Sequence, residues 1–538
     1  MSEQKVYFRP NAVIEPLVDR WYAWSHLISP HTAARNITGR HLKIMNSYIQ
    51  APQIHEAAVR NPKMLGGPFM DIPKSDVDKV KELRDETLAK RGHLIELSQA
   101  IDELDRMLRE EANGHSMEPL YDKVPELLRG YVELVYDLNG NPSARFFEQL
   151  LYHSKFYNEE AQSLAIWLTH NDERPFVLST PRIDSPDVLH LEIPFNHPVI
   201  DAISEMKRTP RALSEVRAMI DLTPEQEALF ESLFTDEAPE PYKKYTGDKL
   251  RMRYFGHACI LVETKDVTIL VDPLVSYYGY QQDVARFSDA DLPDVIDYVL
   301  ITHNHQDHVL FETLLPLRHK IKNIVVPRTN SGSLQDPSLK LMFNAIGFDN
   351  IVEIEDMQSI TFADATITGI PFIGEHSDLN IMAKACHLVR VGEFSMLFVA
   401  DSCNVDNALY EKVHEQVGNV DVVFLGMECE GAPLSWLYGP LLTQDLPRDK
   451  DYSRTLSGSN FERGRALVDT FNPRETYVYA MGMEPWLEFI SSKKYTDESH
   501  PIVQSNLLLE HCRNKGQVAE RLYGEKELLY DTVATVTT

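Results

Sequence analysis

Residues 301–310, ITHNHQDHVL, contain three histidines and one aspartate within six positions. The apolar run DYVLI at 297–301 leads into this segment and predicts a buried strand. His303 and His305 are two residues apart, so on an extended segment both imidazoles project to the same side. The spacing therefore predicts that these two histidines can bind one metal ion.

Asp307 and His308 are adjacent, and their side chains diverge unless the chain turns between them. The following segment VLFETLLPLRHK, residues 309–320, has a helical pattern. We therefore expect a strand-to-helix turn that directs Asp307 and His308 at a second metal ion close to the first. Two neighbouring metal ions also need a bridging carboxylate and further ligands from other loops.

An isolated HxH pair is more often a surface loop with incidental histidines, but HxHxDH at the end of a strand favours a metal site. This spacing resembles that of the metallo-β-lactamase superfamily. The segment GHACILVETKDVTILVDP, residues 256–273, also resembles the opening hairpin of that superfamily. Alternating strands and helices after residue 250 predict two sheets with outer helices, an α/β fold of the αββα type.

The superfamily pattern continues with another metal ligand some tens of residues later and a bridging aspartate after a strand. Asp401 ends the strand-like LFVADSC and is the expected bridge, with a buried structural aspartate as the alternative. The middle ligand falls in IPFIGEHSDLN, which offers Glu375 and His376 side by side. Neighbours on an extended strand point in opposite directions, so we expect only one of the two to be a ligand.

The late histidine of zinc hydrolases is missing from its usual place after the last core strand. Glu484 stands there in YAMGMEPW, and Glu428 ends another strand in FLGMECEG. Each is either a carboxylate near the metals or a hydrogen-bonded glutamate at a strand end. His414 and His511 lie in helical patterns, whereas His500 is loop-like and could bind metal. The last ligand of the second metal is therefore left open between Glu484, His500 and another residue.

Carboxylates in place of imidazoles change the expected metal. Zinc sites for hydrolysis are commonly rich in histidine, whereas oxygen-rich sets suit harder ions, including iron and manganese. The GEH segment and the missing late histidine therefore favour a dinuclear iron oxygenase over a zinc hydrolase.

The chain has 538 residues, which predicts two domains. Residues 1–245 predict a mainly helical α+β domain, and residues 246–538 the metal-binding catalytic domain, with a polar, proline-rich linker at 235–249. Residues 74–112 predict one long helix with an apolar seam at Leu94, Leu97, Ile101, Leu104 and Leu108. The seam packs within the chain or forms a homodimer contact, and the first reading is favoured. Residues 113–138 continue the helical pattern.

Composition excludes several classes of partner. The net charge is −28, which argues against nucleic acid and against anionic membrane surfaces. No apolar run resembles a secretory signal or approaches the length of a membrane helix. The five cysteines are an odd number without CxxC pairing, so we expect no disulfide framework and a cytoplasmic location.

The segments THNHQDH, GEHSDL, VADS and YAMGMEPW, placed after some 245 residues of N-terminal domain, resemble the non-haem diiron β-hydroxylases of nonribosomal peptide and antibiotic biosynthesis. The resemblance implies an O₂-dependent monooxygenase with two Fe ions and an external electron donor. It also implies β-hydroxylation of an amino acid held as a thioester on the carrier domain of a nonribosomal peptide synthetase.

Carried over by motif, His303, His305 and Glu375 hold one iron, while Asp307 and His308 hold the other, and Asp401 bridges. The candidate catalytic residues are Glu375, Glu428 and His376.

The alternative is a zinc-dependent hydrolase of a thioester, lactone or phosphoester. An acidic carrier domain needs a local basic patch for docking, for which residues 205–217 and 242–245 are the candidates.

Overall fold

The computed structural model describes residues 4–329 and 331–531. Its N-terminal strands are β1 Lys5–Phe8, β2 Ala12–Val18, β3 Trp21–Tyr22, β4 Val132–Tyr136, β5 Pro142–Phe146, β6 Gln162–Leu168, β7 Leu189–Leu191, β8 Arg211–Ala212 and β9 Phe234–Thr235. Its N-terminal α-helices are α1 Ser25–Ile28, α2 Pro30–Asn36, α3 Leu42–Gln50, α4 Pro52–Val59, α5 Val77–Lys90, α6 Gly92–Glu111, α7 Glu148–Tyr152, α8 Pro198–Glu205, α9 Leu213–Arg217 and α10 Pro224–Ser232.

The C-terminal strands are β10 Leu250–Gly256, β11 Cys259–Glu263, β12 Thr268–Val271, β13 Ile296–Leu300, β14 Ile321–Pro327, β15 Ile351–Ile354, β16 Ser359–Phe362, β17 Ala365–Ile370, β18 Cys386–Val391, β19 Phe394–Phe398, β20 Val422–Gly426, β21 Glu475–Tyr479, β22 Val518–Arg521 and β23 Lys526–Tyr530. The C-terminal α-helices are α11 Phe311–Leu317, α12 Leu339–Ala345, α13 Asn407–Val417, α14 Leu434–Tyr438, α15 Arg448–Ser453, α16 Phe461–Phe471, α17 Glu488–Ser491 and α18 His500–Asn514.

The C-terminal strands form two seven-stranded sheets that pack face to face. One has the order β15-β14-β13-β12-β11-β10-β23 and the other β16-β17-β18-β19-β20-β21-β22. Buried side chains of both sheets, such as Ile269, Val389 and Phe424, fill the space between them. Helices α13, α16 and α18 cover the second sheet, and α11 and α12 cover the first. The predicted αββα sandwich is confirmed.

The N-terminal part packs on the helical face of the first sheet. Its four-stranded sheet, β3-β2-β6-β7, contacts α11, the helix that follows the HxHxDH segment. Apolar side chains from both parts of the chain, including Trp24, Phe195 and Phe311, share one buried cluster. The N-terminal part therefore forms one side of whatever site the HxHxDH segment builds.

Two expectations about the N-terminal part are wrong in detail. Residues 74–112 form two helices, α5 and α6, which meet at Arg91, where the side chain pairs with Asp19 at 2.8 Å. Residues 113–138 are not one helix, because Pro119 and Pro125 interrupt it and residues 132–136, which include β-branched and aromatic side chains, form β4.

The apolar seam of α6 is buried inside the chain. Its leucines and Ile101 pack with α2, β4 and β5 in one cluster. The seam is thus used within the chain, as the favoured reading predicted. Of the predicted linker at 235–249, Thr235 ends β9 and residues 236–249 contain no helix or strand. Among the helices of the described residues, none has the length and apolar character needed to cross a membrane.

Candidate metal centre

The HxHxDH segment lies in the loop between β13 and α11. His308 donates its backbone N–H to the carbonyl of His305 at 3.1 Å, which turns the chain before α11 begins. Nε2 of His303 lies 3.1 Å from Nδ1 of His305, so both imidazoles point at one place. The expected strand-to-helix turn is present, and both histidines are buried.

Glu375 and His376 both reach this pair of histidines. Oε1 of Glu375 lies 3.4 Å from Nδ1 of His305, and the His376 ring stacks on the His305 ring with centroids 4.5 Å apart. We expected the two neighbours to point in opposite directions. That expectation is wrong, because Glu375 has a left-handed φ of 63° and the segment is not extended. His303, His305, Glu375 and His376 form one cluster able to hold a metal ion.

Asp307 and His308 form a second cluster with His257. Oδ2 of Asp307 lies 3.3 Å from Nε2 of His257, and the His257 and His308 rings are 4.9 Å apart. We did not predict His257 as a ligand. It lies in the turn between β10 and β11, where His257 has a φ of 51° and the preceding Gly256 a φ of 111°. The available signal was a histidine directly after a glycine in the opening hairpin.

Asp401 lies between the two clusters. Its Oδ2 is 3.2 Å from Nε2 of His308 and 3.8 Å from Nε2 of His303. Its Oδ1 is buried and has no hydrogen-bond partner among the described residues. A carboxylate with this placement can reach metal ions held by either cluster.

Asp272 supports the centre from behind. It accepts hydrogen bonds from the backbone N–H of Thr302 at 2.8 Å and the Thr302 hydroxyl at 2.6 Å. Its Oδ2 also lies 2.8 Å from Nδ1 of His308, which leaves Nε2 of His308 facing Asp401. A carboxylate behind a histidine in this way fixes the ring and the nitrogen that it presents to a metal.

Burial and charge keep the donor atoms suited to a cation. Burial lowers the pKa of His303 well below its usual value and that of His305 to about 4, so both imidazoles are neutral. Burial would lower the pKa of His308 as well, but Asp272, Asp401 and Asp307 together raise it well above normal. Burial raises the pKa of Glu375 to about 8. The negative charge around His308 therefore favours a bound cation.

The other candidates lie outside these clusters. Glu484 is buried and accepts a hydrogen bond from the Tyr254 hydroxyl. His500 is exposed at the start of α18. Glu428 lines the cavity described below, but it accepts from the backbone N–H of Gly431 at 2.9 Å and pairs with Lys493 at 3.3 Å. His414 and His511 are half-buried on helices α13 and α18.

A cavity of about 570 Å³ opens onto the clusters. Donor side chains form its floor: His257, His305, Asp307, Glu375 and Asp401. The N-terminal residues 63–67 and Phe69 form one wall, and Trp436 and Leu437 of α14 belong to another. The cavity therefore lies between the two parts of the chain, with the donor set at its base.

Comparisons with known proteins agree with this geometry. Residues 7–239 match the family described as "Diiron non-heme beta-hydroxylase N-terminal domain", and residues 267–431 match the "Beta-lactamase superfamily domain". The chain is 41% identical to the 4-amino-L-phenylalanyl-(CmlP-peptidyl-carrier-protein) 3-hydroxylase of Streptomyces venezuelae, over 97% of this chain and 99% of that protein. The chain belongs to the diiron non-heme β-hydroxylase family.

Solved structures agree with the family assignment. The crystal structure of CmlA, a diiron β-hydroxylase from Streptomyces venezuelae, superposes with a TM-score of 0.92 at 39% identity, over 98% of this chain and all of that one. A UPF0173 protein of Pyrococcus abyssi is 33% identical over only 24% of this chain and 50% of its own. The predicted fold, family and hydroxylase class are confirmed, and the family supports hydroxylation over the alternative of a zinc hydrolase.

Proposed function

We propose that this diiron β-hydroxylase hydroxylates the β-carbon of an amino acid held as a thioester on a peptidyl carrier domain, with O₂ and an external electron donor. The observation that carries the proposal is a single cavity whose floor is a two-cluster donor set, in a chain that matches a carrier-dependent hydroxylase along 97% of its length.

The donor set suits two iron ions. We assign His303, His305 and Glu375 to one iron and Asp307, His308 and His257 to the other, with Asp401 between them. Neutral imidazoles mixed with carboxylates suit iron, and the unpartnered Oδ1 of Asp401 is a buried acceptor that a cation would satisfy. His257 completes the second set, for which Glu484 and His500 are too poorly placed.

His376 has a different role from Glu375 in this assignment. Nδ1 of His376 lies 2.9 Å from Oε2 of Glu375, and burial lowers the pKa of His376 to about 3. The neutral ring packs against His305, and Oε2 of Glu375 has no hydrogen-bond partner among the described residues. Glu428 is held by Lys493 and by backbone amides, so we assign it to the cavity wall.

When bound, the two irons supply the reduction of O₂ and the oxidation of a C–H bond. The protein contributes the enclosure: apolar side chains of the cavity walls, among them Phe69, Leu437 and Ile490, exclude water around the aminoacyl group. The donor set and the exposed residues at 63–65 line the same cavity, so an aminoacyl group on the thioester-bearing arm of a carrier domain could enter it from the surface.

We propose that the carrier domain docks at the mouth of this cavity. Lys63, Met64, Leu65 and Tyr452 line the cavity and are exposed, with 38%, 37% and 58% of Met64, Leu65 and Tyr452 accessible. Lys63 forms no ion pair within the described part of the chain, so its charge is free for an acidic partner.

The earlier docking candidate at 205–217 is less suited to this role. Arg208 pairs with Asp294 at 2.7 Å, and Arg211 and Arg217 pair with Glu205 and Glu227. These cations are already neutralised within the chain. We therefore propose that residues 1–245 form a domain that presents 63–65 to the carrier, and that residues 246–538 form the catalytic domain.

The function is tested with protein purified under iron-replete conditions. We expect two irons per chain and, on chemical reduction, O₂-dependent hydroxylation of an aminoacyl-carrier substrate but not of the free amino acid. Zinc as the only metal, or turnover without reductant and O₂, would contradict the proposal.

The docking site is tested with a matched pair of variants. Leu65→Glu places a charge at the cavity mouth, whereas Leu138→Glu places the same charge on a fully exposed leucine between β4 and β5. We expect the first variant alone to raise KM for the aminoacyl carrier, with iron content unchanged in both. Equal KM values would argue against docking at the mouth.

A further inference from the structure

The two ring nitrogens of His305 face different partners. Its Nδ1 points into the donor cluster, 3.1 Å from Nε2 of His303 and 3.4 Å from Oε1 of Glu375. Its Nε2 points the other way, 3.1 Å from the hydroxyl oxygen of Tyr438, a buried residue at the end of α14. A histidine that binds metal through Nδ1 carries its proton on Nε2 and needs an acceptor there. The tyrosine hydroxyl is that acceptor.

The N-terminal part of the chain holds α14 in place. Nη2 of Arg40 donates to the carbonyl oxygens of Trp436 at 2.8 Å and Leu437 at 2.9 Å. Arg35 donates to the carbonyls of Pro440 at 3.2 Å and Leu442 at 2.8 Å. Trp436 and Leu437 lie in the last turn of α14, where carbonyls lack partners within the helix and a cation is favourable, whereas Pro440 and Leu442 lie in the segment that follows it. Two buried arginines from the N-terminal part thus fix the segment that carries Tyr438.

The local backbone is built for this close approach. Arg40 lies in a π-helical turn, Ile37–His41, between α2 and α3, and such turns re-aim side chains within a continuous helix. Gly39 in the same turn lies against Pro440, where an added Cβ would come within 2.8 Å of the proline Cα. A larger residue there would push the helix away from segment 439–442, so glycine permits the arginines to reach the carbonyls.

Helix α14 is also a wall of the substrate cavity. Trp436 donates from Nε1 to the carbonyl of Gly66 at 2.8 Å, and it lines both the 570 Å³ cavity and a second cavity of about 590 Å³. Arg40 and Lys43 also line the second cavity. One short helix therefore contacts a donor histidine, the cavity and the N-terminal arginines.

We propose that Tyr438 is a positioning residue for His305: its hydroxyl accepts from Nε2 of His305, so that Nδ1 is presented to iron. Arg40 acts on the iron site through Tyr438. The inference rests on the proposed function, because it concerns how the assigned iron ligand is oriented. Its consequence is that the N-terminal part contributes to iron binding although it supplies none of the assigned ligands.

The test compares the iron affinity of Tyr438→Phe with that of Tyr48→Phe. Tyr48 is an equally buried tyrosine whose hydroxyl lies 3.1 Å from the carbonyl of Ile72 and 2.9 Å from that of Pro73. Neither of these partners is an assigned iron ligand. In a titration against a competing chelator, we expect Tyr438→Phe to bind iron about 10- to 100-fold more weakly and to change its optical spectrum. Tyr48→Phe should match the wild-type protein in both.

A double-mutant cycle tests the link to Arg40. Lysine retains the charge of Arg40 but not the two-carbonyl contact, so Arg40→Lys should alter the iron spectrum in the same direction as Tyr438→Phe. In the Tyr438→Phe background, Arg40→Lys should cause no further change in the iron spectrum. Additive effects would overturn the route through Tyr438.

The outcomes separate the inference from the proposed function. A wild-type protein with two irons and a Tyr438→Phe variant of equal affinity and spectrum would overturn the inference alone. A wild-type protein that binds no iron would overturn the proposed function and the inference with it.

Discussion

Replacing Arg174 with methionine should lower the free energy of unfolding by about 3 kcal/mol. Arg174 donates from Nη1 and Nη2 to the two carboxylate oxygens of Glu312, each at 2.8 Å, and also contacts Glu15. Both glutamates are buried. Glu15 belongs to β2 and Glu312 to α11, so this cation joins the N-terminal sheet to the helix that follows the HxHxDH segment.

The magnitude follows from the partners that each glutamate retains. Glu15 keeps Arg182, which donates to it at 2.6 and 2.8 Å. Among the described residues, Glu312 keeps the Tyr277 hydroxyl at 2.8 Å but no cation. One buried carboxylate rather than two is left without a cation, which places the loss near the lower end of the ~3–5 kcal/mol expected for breaking a buried pair. Methionine retains much of the aliphatic volume beside Phe489.

Urea unfolding followed by tryptophan fluorescence and by circular dichroism measures the loss. Adding Glu312→Gln to Arg174→Met should recover more than half of it, because the uncompensated charge is removed. As a control, Arg109→Met breaks a partly exposed pair with Asp105 at 3.1 Å and should change stability by less than about 1 kcal/mol. A single variant as stable as the wild type, or a double variant no more stable than the single one, would refute the reasoning.

Three further predictions concern the metal centre and pH. His257→Ala should reduce bound iron from two ions per chain toward one, by metal analysis; a full complement would show that another residue completes the second site. Chelating the iron should lower the Tm in calorimetry, because a ligand of the folded chain alone stabilises it, and an unchanged Tm would argue against binding at these residues. Burial raises the pKa of Glu148 from 4.5 to about 7, so its stabilising contribution is complete below pH 4.5 and is lost as the pH rises through 7. Between pH 4.5 and pH 7 the free energy of unfolding of the wild type, measured in urea, should fall by about 3 kcal/mol relative to that of Glu148→Gln. Parallel pH profiles of this free energy for the two proteins would contradict the prediction.

The fold of the C-terminal part was predictable because its strands are apolar runs rich in β-branched residues that turns or helices separate. Segments such as 268–271 and 296–300 are strands in the structure as their composition predicts. The N-terminal part was harder, since charge-rich segments with a helical pattern did not reveal where prolines stop the helix. Residues 113–138 show this: Pro119 and Pro125 outweigh the periodicity, and the following segment pairs with β5.

The candidate site was predictable by residue type more than by geometry. The HxHxDH spacing and Asp401 identified donors that the structure brings together. His257 was missed because it lies 46 positions before His303 in the chain and in no recognisable metal spacing. Tyr438 and Arg40 were missed for a related reason: each acts through a contact between distant parts of the chain, and no local pattern marks such a contact.

Left-handed backbone is concentrated where the donor side chains meet. His257, Asp272, Glu375, Ala400 and Ala480 have φ values of 51°, 38°, 63°, 49° and 53°, and none of them is glycine. Such residues cost on the order of 1–3 kcal/mol each and persist where the surrounding structure imposes them. Here two packed sheets impose them, and each turn redirects the chain beyond a strand end so that side chains from different strands converge. Pattern reading assumes that strand alternation continues, so it fails at these turns. His257, which was missed, and His376, whose direction was misjudged, are the residues in or directly after them.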